Sequence, residues 1–501
     1  MVKLLASASV VCILIVLAGV NRGFDISDEG LYVLLADPLQ NNIAGIFNYD
    51  LFFKLFFQIT GHSFSLAELR IIRLISYFVG ALALAGFWKN IQEESRLSAE
   101  IFCIAFLGLL VGYAFLPPSL SYNSLTVVLV CCWLKLISQK QLSLKSLLLL
   151  GLVLGFLVYI KVSLALILFP LTIGILFLGK KGKPILFVAM LIPFLLLELV
   201  FLMVLNENVV DRLQEGIPLN SLRPGYQLKT MLLSIGVGGF WILISGLLGF
   251  ALGYFNKKKS SFLPAVKIIG VYGFAVICYV THITDEWNHL ILLVSSVLFG
   301  FFVGEGDFKL IRVNLWVLLL LALPFLLHFG SNVYWLRIGV HYWVFWILAL
   351  RWMLKFPYWE MNFGLSALAI LLVFNGIWWH PFGQNSSLWK KTTVWNRNER
   401  ETLYLDPELV AVLNGIKKST INDHSKPLLA AYRIPGLIWL SGLQTPYSPG
   451  IWDKSQLTDF FEFEPGKMIY NGLDSLPENW HFTHRQNLGV YQADSLLLLW
   501  D

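Results

Sequence analysis

Apolar runs recur from Lys3 until about His380, and a helix that crosses a bilayer needs roughly 20 mostly apolar residues. They fall near 3–20, 70–88, 101–118, 122–138, 146–160, 162–179, 184–205, 230–254, 267–283, 288–304, 313–330, 340–354 and 362–380, about thirteen spans in all, with very short turns around Ser119 and Lys161. A chain that is 57% hydrophobic and 14% charged cannot hide this much apolar surface in a soluble core. An α-helical, multi-pass integral membrane protein is therefore expected.

The positions of Lys and Arg along such a chain matter more than their sum, because cytoplasmic loops collect them. The formal net charge of +6 is thus a topology signal and not a nucleic-acid footprint. If the first span runs outward, the inner loops hold Lys89 and Arg96, then Lys135, Lys140 and Lys145, then "GKKGK" at 179–183, "NKKKSS" at 256–261, Lys309 with Arg312, and Arg351 with Lys355. The alternate loops "PPSLS" (117–121) and "HITDEWNH" (282–289) carry no Lys or Arg and are expected outside. Residues 3–20 also fit a secretory signal peptide, although no clean small-x-small site precedes Asn21, and cleavage would still leave the next segment outside. Five cysteines all lie in apolar runs, so neither a disulfide framework nor a CxxC metal site is implied.

Composition shifts after His380. An odd number of spans places the polar 381–501 region outside, and its short apolar stretches "PLLAAYR", "LIWLSG" and "SLLLLW", beside an amphipathic helix around 407–418, predict a small α/β or α+β extracytoplasmic domain. The chain thus divides into a transmembrane domain, 1–380, with a first outer loop at 21–69, and a C-terminal domain, 381–501.

That first loop concentrates chemistry. "NRGFDISDEGLYVLLADP" places Asp25, Asp28 and Glu29 within five positions, directly after the first span. "IAGIFNYDLFFKLFFQITG" reads as a helix lying in the membrane surface with Asp50 and Lys54 toward headgroups. Arg70 and Arg73 follow. Acids at a helix end are commonly just solvated, but acids and cations around one lipid-facing pocket suit a lipid-linked phosphate donor: cations hold the phosphate while a carboxylate takes a proton from the acceptor.

Four further outer features stand as candidates. Lys161, between two apolar runs, must snorkel or pair and reads as an interfacial anchor. His282, Asp285, Glu286 and His289 fall on one face if helical, which leaves a divalent metal open as a cofactor, although the segment reads as a turn between spans and is not an HExxH arrangement. Arg337, among Trp and Tyr, either pairs with a phosphate or anchors its helix. The loop 206–229, with Arg212 and Arg223, reads as solvated.

The order of these features resembles the GT-C membrane glycosyltransferases over roughly residues 1–380. The acidic motif after the first helix, "LRIIRLISYFVGALAL", the turn "LPPSLSYNSL" and "GLVLGFLVYIKVSLALILFPL" carry the likeness, which is greatest to the protein mannosyltransferase and aminoarabinose transferase type. The resemblance implies a polyprenyl-phosphate sugar as donor, an extracytoplasmic acceptor and a place in the inner (plasma) membrane. It implies that Asp28 is the catalytic carboxylate with Glu29 its neighbour, and Asp25 the rival candidate. It places Lys161 near the donor phosphate, with Lys54 in a partly filled motif with Tyr49 and Asp50. Asn288-His289 stands where the family often has Arg-Tyr, so His289 joins Lys54, Arg70, Arg73, Lys161 and Arg337 as phosphate-binding candidates. Two other classes remain open: an O-antigen ligase or polymerase, which would place its functional Arg and His in a late outer loop, and a transporter or flippase of lipid-linked glycans, which would show internal repeats.

Overall fold

The computed structural model describes residues 1–178, 188–221, 223–282, 287–306, 314–353, 359–383, 386–398, 401–420, 428–460, 466–492 and 494–500. Lys180, Lys181, Lys183, Asp285, Glu286, Lys309, Arg312 and Lys355 lie outside the described residues.

The apolar runs are helical wherever they are described. In chain order the helices are α1 (Val2–Ala18), α2 (Asp28–Ala36), α3 (Asp50–Thr60), α4 (Leu66–Gln92), α5 (Ala99–Leu110), α6 (Tyr122–Ile137), α7 (Leu144–Leu178), α8 (Ile192–Leu205), α9 (Val209–Ser221), α10 (Leu228–Lys257), α11 (Leu263–Val280), α12 (Leu290–Glu305), α13 (Leu315–His328), α14 (Trp335–Ile338), α15 (Trp343–Met353) and α16 (Trp359–Phe374). Among the described residues five helices are long and apolar enough to cross a membrane: α4, α7, α10, α11 and α16 with its continuation to Trp379. The bent pair α8 and α9, meeting at 94°, makes a sixth if it counts as one span. The apolar helices α1, α6, α12 and α13, and α5 with its 3-10 extension to Ala114, are shorter. The reason is helix length. A 16-residue helix is about 24 Å long, under the roughly 30 Å of hydrocarbon. The apolar runs read from sequence included flanking turn residues that are not helical.

Lys161 departs from helical backbone (φ −153°, ψ 84°), so the 35 residues of α7 divide there into two helical halves, which matches the two runs read around it. Elsewhere the helix starts follow local chemistry. Ser65 opens α4 with a capping box, its Oγ accepting from the Glu68 N–H at 3.3 Å while the Glu68 carboxylate accepts from the Ser65 N–H at 2.7 Å. In the bilayer-type region α10 and α12 pack through glycines. A Cβ on Gly249 would stand 2.0 Å from the Val297 carbonyl oxygen, and one on Gly300 would stand 1.9 Å from that of Gly246. Small residues let two apolar helices approach backbone to backbone where hydrophobic exclusion supplies little drive.

The C-terminal region is mixed. A hairpin, β1 (Thr393–Asn398) and β2 (Glu401–Leu405), precedes α17 (Pro407–Thr420). A four-stranded sheet in the order β3 (Leu429–Ala431), β4 (Lys467–Tyr470), β6 (Asp494–Trp500), β5 (His484–Tyr491) is parallel between β3 and β4 and antiparallel elsewhere. The strands expected at "PLLAAYR" and "SLLLLW" are β3 and β6. "LIWLSG" instead supplies the last four residues of helix α18 (Pro435–Leu440) and the turn after it; Pro435 opens the helix at its first turn, and the helix is buried on every side. A continuous apolar run does not distinguish a buried strand from a buried helix. Helix α19 (Lys454–Phe460) follows.

The two parts share one core. Phe24, Leu34, Leu66 and Leu69 pack with Trp395, Leu409, Ile438 and Trp439, and the Phe24 and Trp439 rings stack at 5.4 Å and 7°. Backbone bonds join them as well: the Gly23 N–H donates to the Tyr404 carbonyl at 2.8 Å and the Tyr404 N–H to that of Asn21 at 3.1 Å. The first loop and the C-terminal region therefore form one body over the ends of the helices.

Candidate functional site

The three acids of the first loop have three different surroundings. Asp25 accepts backbone N–H bonds from Ser27 (3.2 Å), Asp28 (2.7 Å) and Glu29 (3.2 Å), and so satisfies the orphan donors at the start of α2. Glu29 is fully buried and takes the Arg70 Nε at 3.0 Å and Nη2 at 2.8 Å, a bidentate pair. Asp28, at the first turn of the same helix, lines a cavity of about 430 Å³.

Several of the segments expected outside converge on the cavity. Ser27, just before α2, and Asp28, Leu31 and Leu35 within it line one side, with Asn42 and residues 44–47 from the loop that follows, Leu116 from the α5–α6 turn, Tyr122 and Asn123 from the start of α6, Asn220 from the end of α9, and Arg223 and Tyr226 from the α9–α10 connection. Asn332, Val333, Tyr334 and Arg337 come from the α13–α14 turn, and Arg433, Ser448, Pro449, Gly450, Trp452 and Gln456 from the C-terminal region. Asp28 is the one carboxylate among these lining residues, facing three arginines, an assortment of amides and several aromatic rings.

Burial acts on both Asp28 and Asp25. Withdrawal from water holds the Asp28 carboxyl above the usual carboxylate range, and the guanidinium groups of Arg337 and Arg433 pull it back down. Burial, then the neighbouring Asp28, push Asp25 up to about 7, against the pull of its backbone donors. Arg337 is seated over the Phe115 ring at 4.4 Å, and Arg223 over Tyr226 at 4.8 Å while it pairs with Asp453. Tyr122 stacks on Phe47 at 4.1 Å, which fixes a flat ring in the wall.

Of the six cations named from sequence, Arg337 lines the cavity and the others do not. Arg70 spends its remaining donors on the carbonyls of Val20, Arg22 and Gly23, each at 2.9 Å, so it staples the first loop to α4 and has nothing left for a phosphate. Arg73 donates to the Gly112 carbonyl at 3.0 Å and to Pro117, and stacks over Tyr113, which ties down the "PPSLS" turn. Lys54 is buried against Glu207 (2.9 Å) and Asp50 (3.7 Å), and Asp50 takes Arg212 at 2.8 Å. That four-charge cluster seats α3 on the start of α9. Lys161 donates its Nζ to the Leu327 carbonyl at 2.6 Å and closes the end of α13. His289 is buried at the start of α12 with its ring 5.9 Å from that of His282. The metal set of His282, Asp285, Glu286 and His289 includes two residues outside the described ones, and among the described residues no group of three His, Cys, Asp or Glu is placed to hold a metal.

Sequence reasoning passed over Arg433, Trp452 and Asn332 and set Arg223 aside in a solvated loop. Tyr122 and Asn123 stood in the quoted outer turn without a role. Nothing local distinguishes Arg433; its position follows from the docking of α18 on α2. Comparison with known proteins gives no matching family model, no matching curated protein and no matching solved structure.

Proposed function

We propose that the protein is a membrane glycosyltransferase of GT-C type that moves a sugar from a polyprenyl-phosphate donor to an acceptor on the outer face of the inner membrane. The observation that carries this reading is Asp28, alone among acids in a cavity that it shares with Arg223, Arg337 and Arg433. Arginine forks suit a phosphate, and the amides and flat rings of Asn123, Asn332, Gln456, Tyr122 and Trp452 suit sugar hydroxyls and ring faces. An exposed apolar face of α10, formed by Leu228, Leu232, Leu233, Val237 and Phe240, begins two residues after Tyr226, where a prenyl chain leaving the cavity would enter the bilayer. In this reading the helices make about thirteen passes, with the first loop and the C-terminal region outside.

In the proposed reaction the Asp28 carboxylate takes the proton from the acceptor hydroxyl or amine as that atom attacks the anomeric carbon. The bond between that carbon and the phosphate oxygen breaks, the configuration inverts, and the departing polyprenyl phosphate is stabilised by Arg337. No second carboxylate is required, since the leaving group is already a phosphate. The test is reconstitution of the purified protein in liposomes with a panel of labelled polyprenyl-phosphate sugars and outer-envelope lipid, glycan and peptide acceptors. Acceptor-dependent release of polyprenyl phosphate supports the reading; transport of intact donor across the bilayer without release supports a flippase instead.

A further inference from the structure

The polar groups in the wall of the cavity differ in what already holds them. Among its amides, Asn42 donates to the Phe47 carbonyl at 2.9 Å and to Asp50 at 3.1 Å, Asn220 donates to the Gly216 carbonyl at 2.9 Å, and the Gln456 oxygen takes the Trp452 N–H at 2.7 Å. Those three fasten loops. Asn332 is exposed. Asn123 is 2% exposed, and its polar neighbour is the Tyr122 hydroxyl; among the described residues its amide makes no hydrogen bond to the backbone. An Asn so near a helix start commonly caps it, but Ser121 and Ser124 already cap α6: the Ser124 N–H donates to the Ser121 Oγ at 3.2 Å and the Ser121 N–H to the Ser124 Oγ at 3.0 Å. Asn123 is thus a buried amide in a cavity wall with donor and acceptor capacity that the fold does not use.

Tyr32 is a second such group. It follows Asp28 by one turn of α2 and so shares its face. It is 1% exposed, its ring meets that of Tyr122 edge to face at 6.0 Å, and its hydroxyl makes no hydrogen bond among the described residues. Withdrawal from water, then the Asp28 charge, hold that hydroxyl well above its usual titration, so it stays a donor. The face is fixed from behind. A Cβ on Gly30 would stand 2.2 Å from the Gly436 nitrogen, and the Gly436 N–H donates to the Ile26 carbonyl at 2.8 Å, so α18 presses on α2 from the side away from Asp28 and Tyr32.

The Asp28 charge reaches both the Tyr32 and the Tyr122 hydroxyls, so carboxylate, phenols and amide gather around the Tyr122 ring. An amide offers an acceptor and donors to neighbouring hydroxyls, a phenol offers one more donor, and a flat ring takes the C–H face of a sugar. None of Tyr32, Tyr122 and Asn123 carries a charge to meet a uronate. An ammonium group fares no better: Asp28 is the one carboxylate in the lining, Glu29 is taken by Arg70, and Asp25 by backbone donors.

We propose that Asn123 and Tyr32 form a subsite for the hydroxyl groups of an uncharged sugar, held against the Tyr122 ring beside Asp28. The proposal rests on the transferase reading for the lipid phosphate that carries this sugar. It names the class of sugar, neutral and polyhydroxylated, where a resemblance that includes aminoarabinose transferases leaves an amino sugar equally open.

The experiment measures binding to the full-length protein in detergent, by calorimetry, of farnesyl phosphate, of farnesyl-phosphoryl glucose and mannose, and of farnesyl-phosphoryl glucosamine with a free amine. It compares wild type with Asn123→Leu, with Tyr32→Phe, which removes a single oxygen, and with Tyr113→Phe as a control, a buried tyrosine outside the cavity lining. Wild type should bind at least one neutral glycosyl probe about tenfold more tightly than farnesyl phosphate, the scale of one or two buried hydrogen bonds. Asn123→Leu should abolish that gain and Tyr32→Phe reduce it several-fold, with farnesyl phosphate bound as before, and the control should keep it whole. A gain that survives both substitutions overturns the proposal, as does no gain in wild type, a preference for the free amine, or an equal loss toward farnesyl phosphate, which would mark a structural role. Sugar binding that depends on Asn123 and Tyr32 in a protein that transfers no sugar keeps the subsite and removes the transferase reading; transfer whose sugar preference neither substitution alters does the reverse.

Discussion

Asp25, Asp28 and Glu29 are near neighbours in sequence, yet their roles diverge because of partners that are distant along the chain. Glu29 is committed by Arg70, 41 residues away, and Asp28 is left to the cavity because Arg337 and Arg433 arrive there. The cluster was legible from sequence, whereas the preference for Asp28 came only from resemblance; which acid is spent on structure depends on tertiary pairing. Removing one partner of a buried ion pair strands the other charge, so Glu29→Ala is expected to cost about 3–5 kcal/mol. The check is the melting temperature in detergent. Asp25 behaves differently. With its native carboxyl pushed up to about 7, against about 4 in an unfolded chain, the folded state binds the extra proton. Its contribution to stability is therefore full below about pH 4 and declines as pH rises toward 7. Asp25→Asn should flatten that part of the stability profile while it leaves the cap nearly as strong, because Asn caps a helix about as well as Asp. For Asp28 the sign matters to rate. A base must be ionised, and burial raises its titration, so the acid limb of activity should lie above the ordinary carboxylate range. Arg337→Ala removes a cation that lowers it. The pH–rate profile of that variant should move further up, and an unmoved limb would detach Arg337 from Asp28.

At the scale of elements, the apolar runs were plain in the sequence because length and hydropathy alone specify a buried or membrane helix. Boundaries were less so, since flanking turn residues extended the runs beyond the helices that form. "LIWLSG" was misread because apolar continuity carries no period, and the helix depends on Pro435 and on burial from all sides. The glycine contacts were invisible for another reason: a glycine's use depends on what approaches it. Gly249→Val places a side chain on the Val297 carbonyl and should separate α10 from α12. The expected outcome is a lower melting temperature in detergent and faster proteolysis. Gly30→Val acts at the other contact, where it pushes α18 from α2. It should reduce transfer together with phosphate affinity while the membrane helices stay folded.

At the scale of the whole molecule, the first loop, the residues flanking "PPSLS", the α9–α10 connection and the turn before α14 meet in one cavity, together with the C-terminal region. That these segments share a side was expected from the alternation of basic and non-basic connections. That residues 433–456 complete their pocket was not, because the docking runs through a glycine pair and a stacked Phe24–Trp439 contact far apart in the chain. The topology has a direct check. A cysteine at Leu473, exposed in the C-terminal region, should react with an impermeant maleimide in intact cells, and one at Ser95, exposed between α4 and α5, only after permeabilisation. The reverse pattern would invert the molecule. The central claim is that Asp28 is the acid on which sugar transfer turns, and the most direct measurement compares Asp28→Asn with Asp25→Asn in liposomes given a labelled polyprenyl-phosphate sugar. Transfer should fall by at least about a hundredfold in Asp28→Asn, the lower end of what a positioned general base contributes, with membrane insertion intact, and survive in Asp25→Asn apart from lost stability. Full transfer by Asp28→Asn would contradict the account.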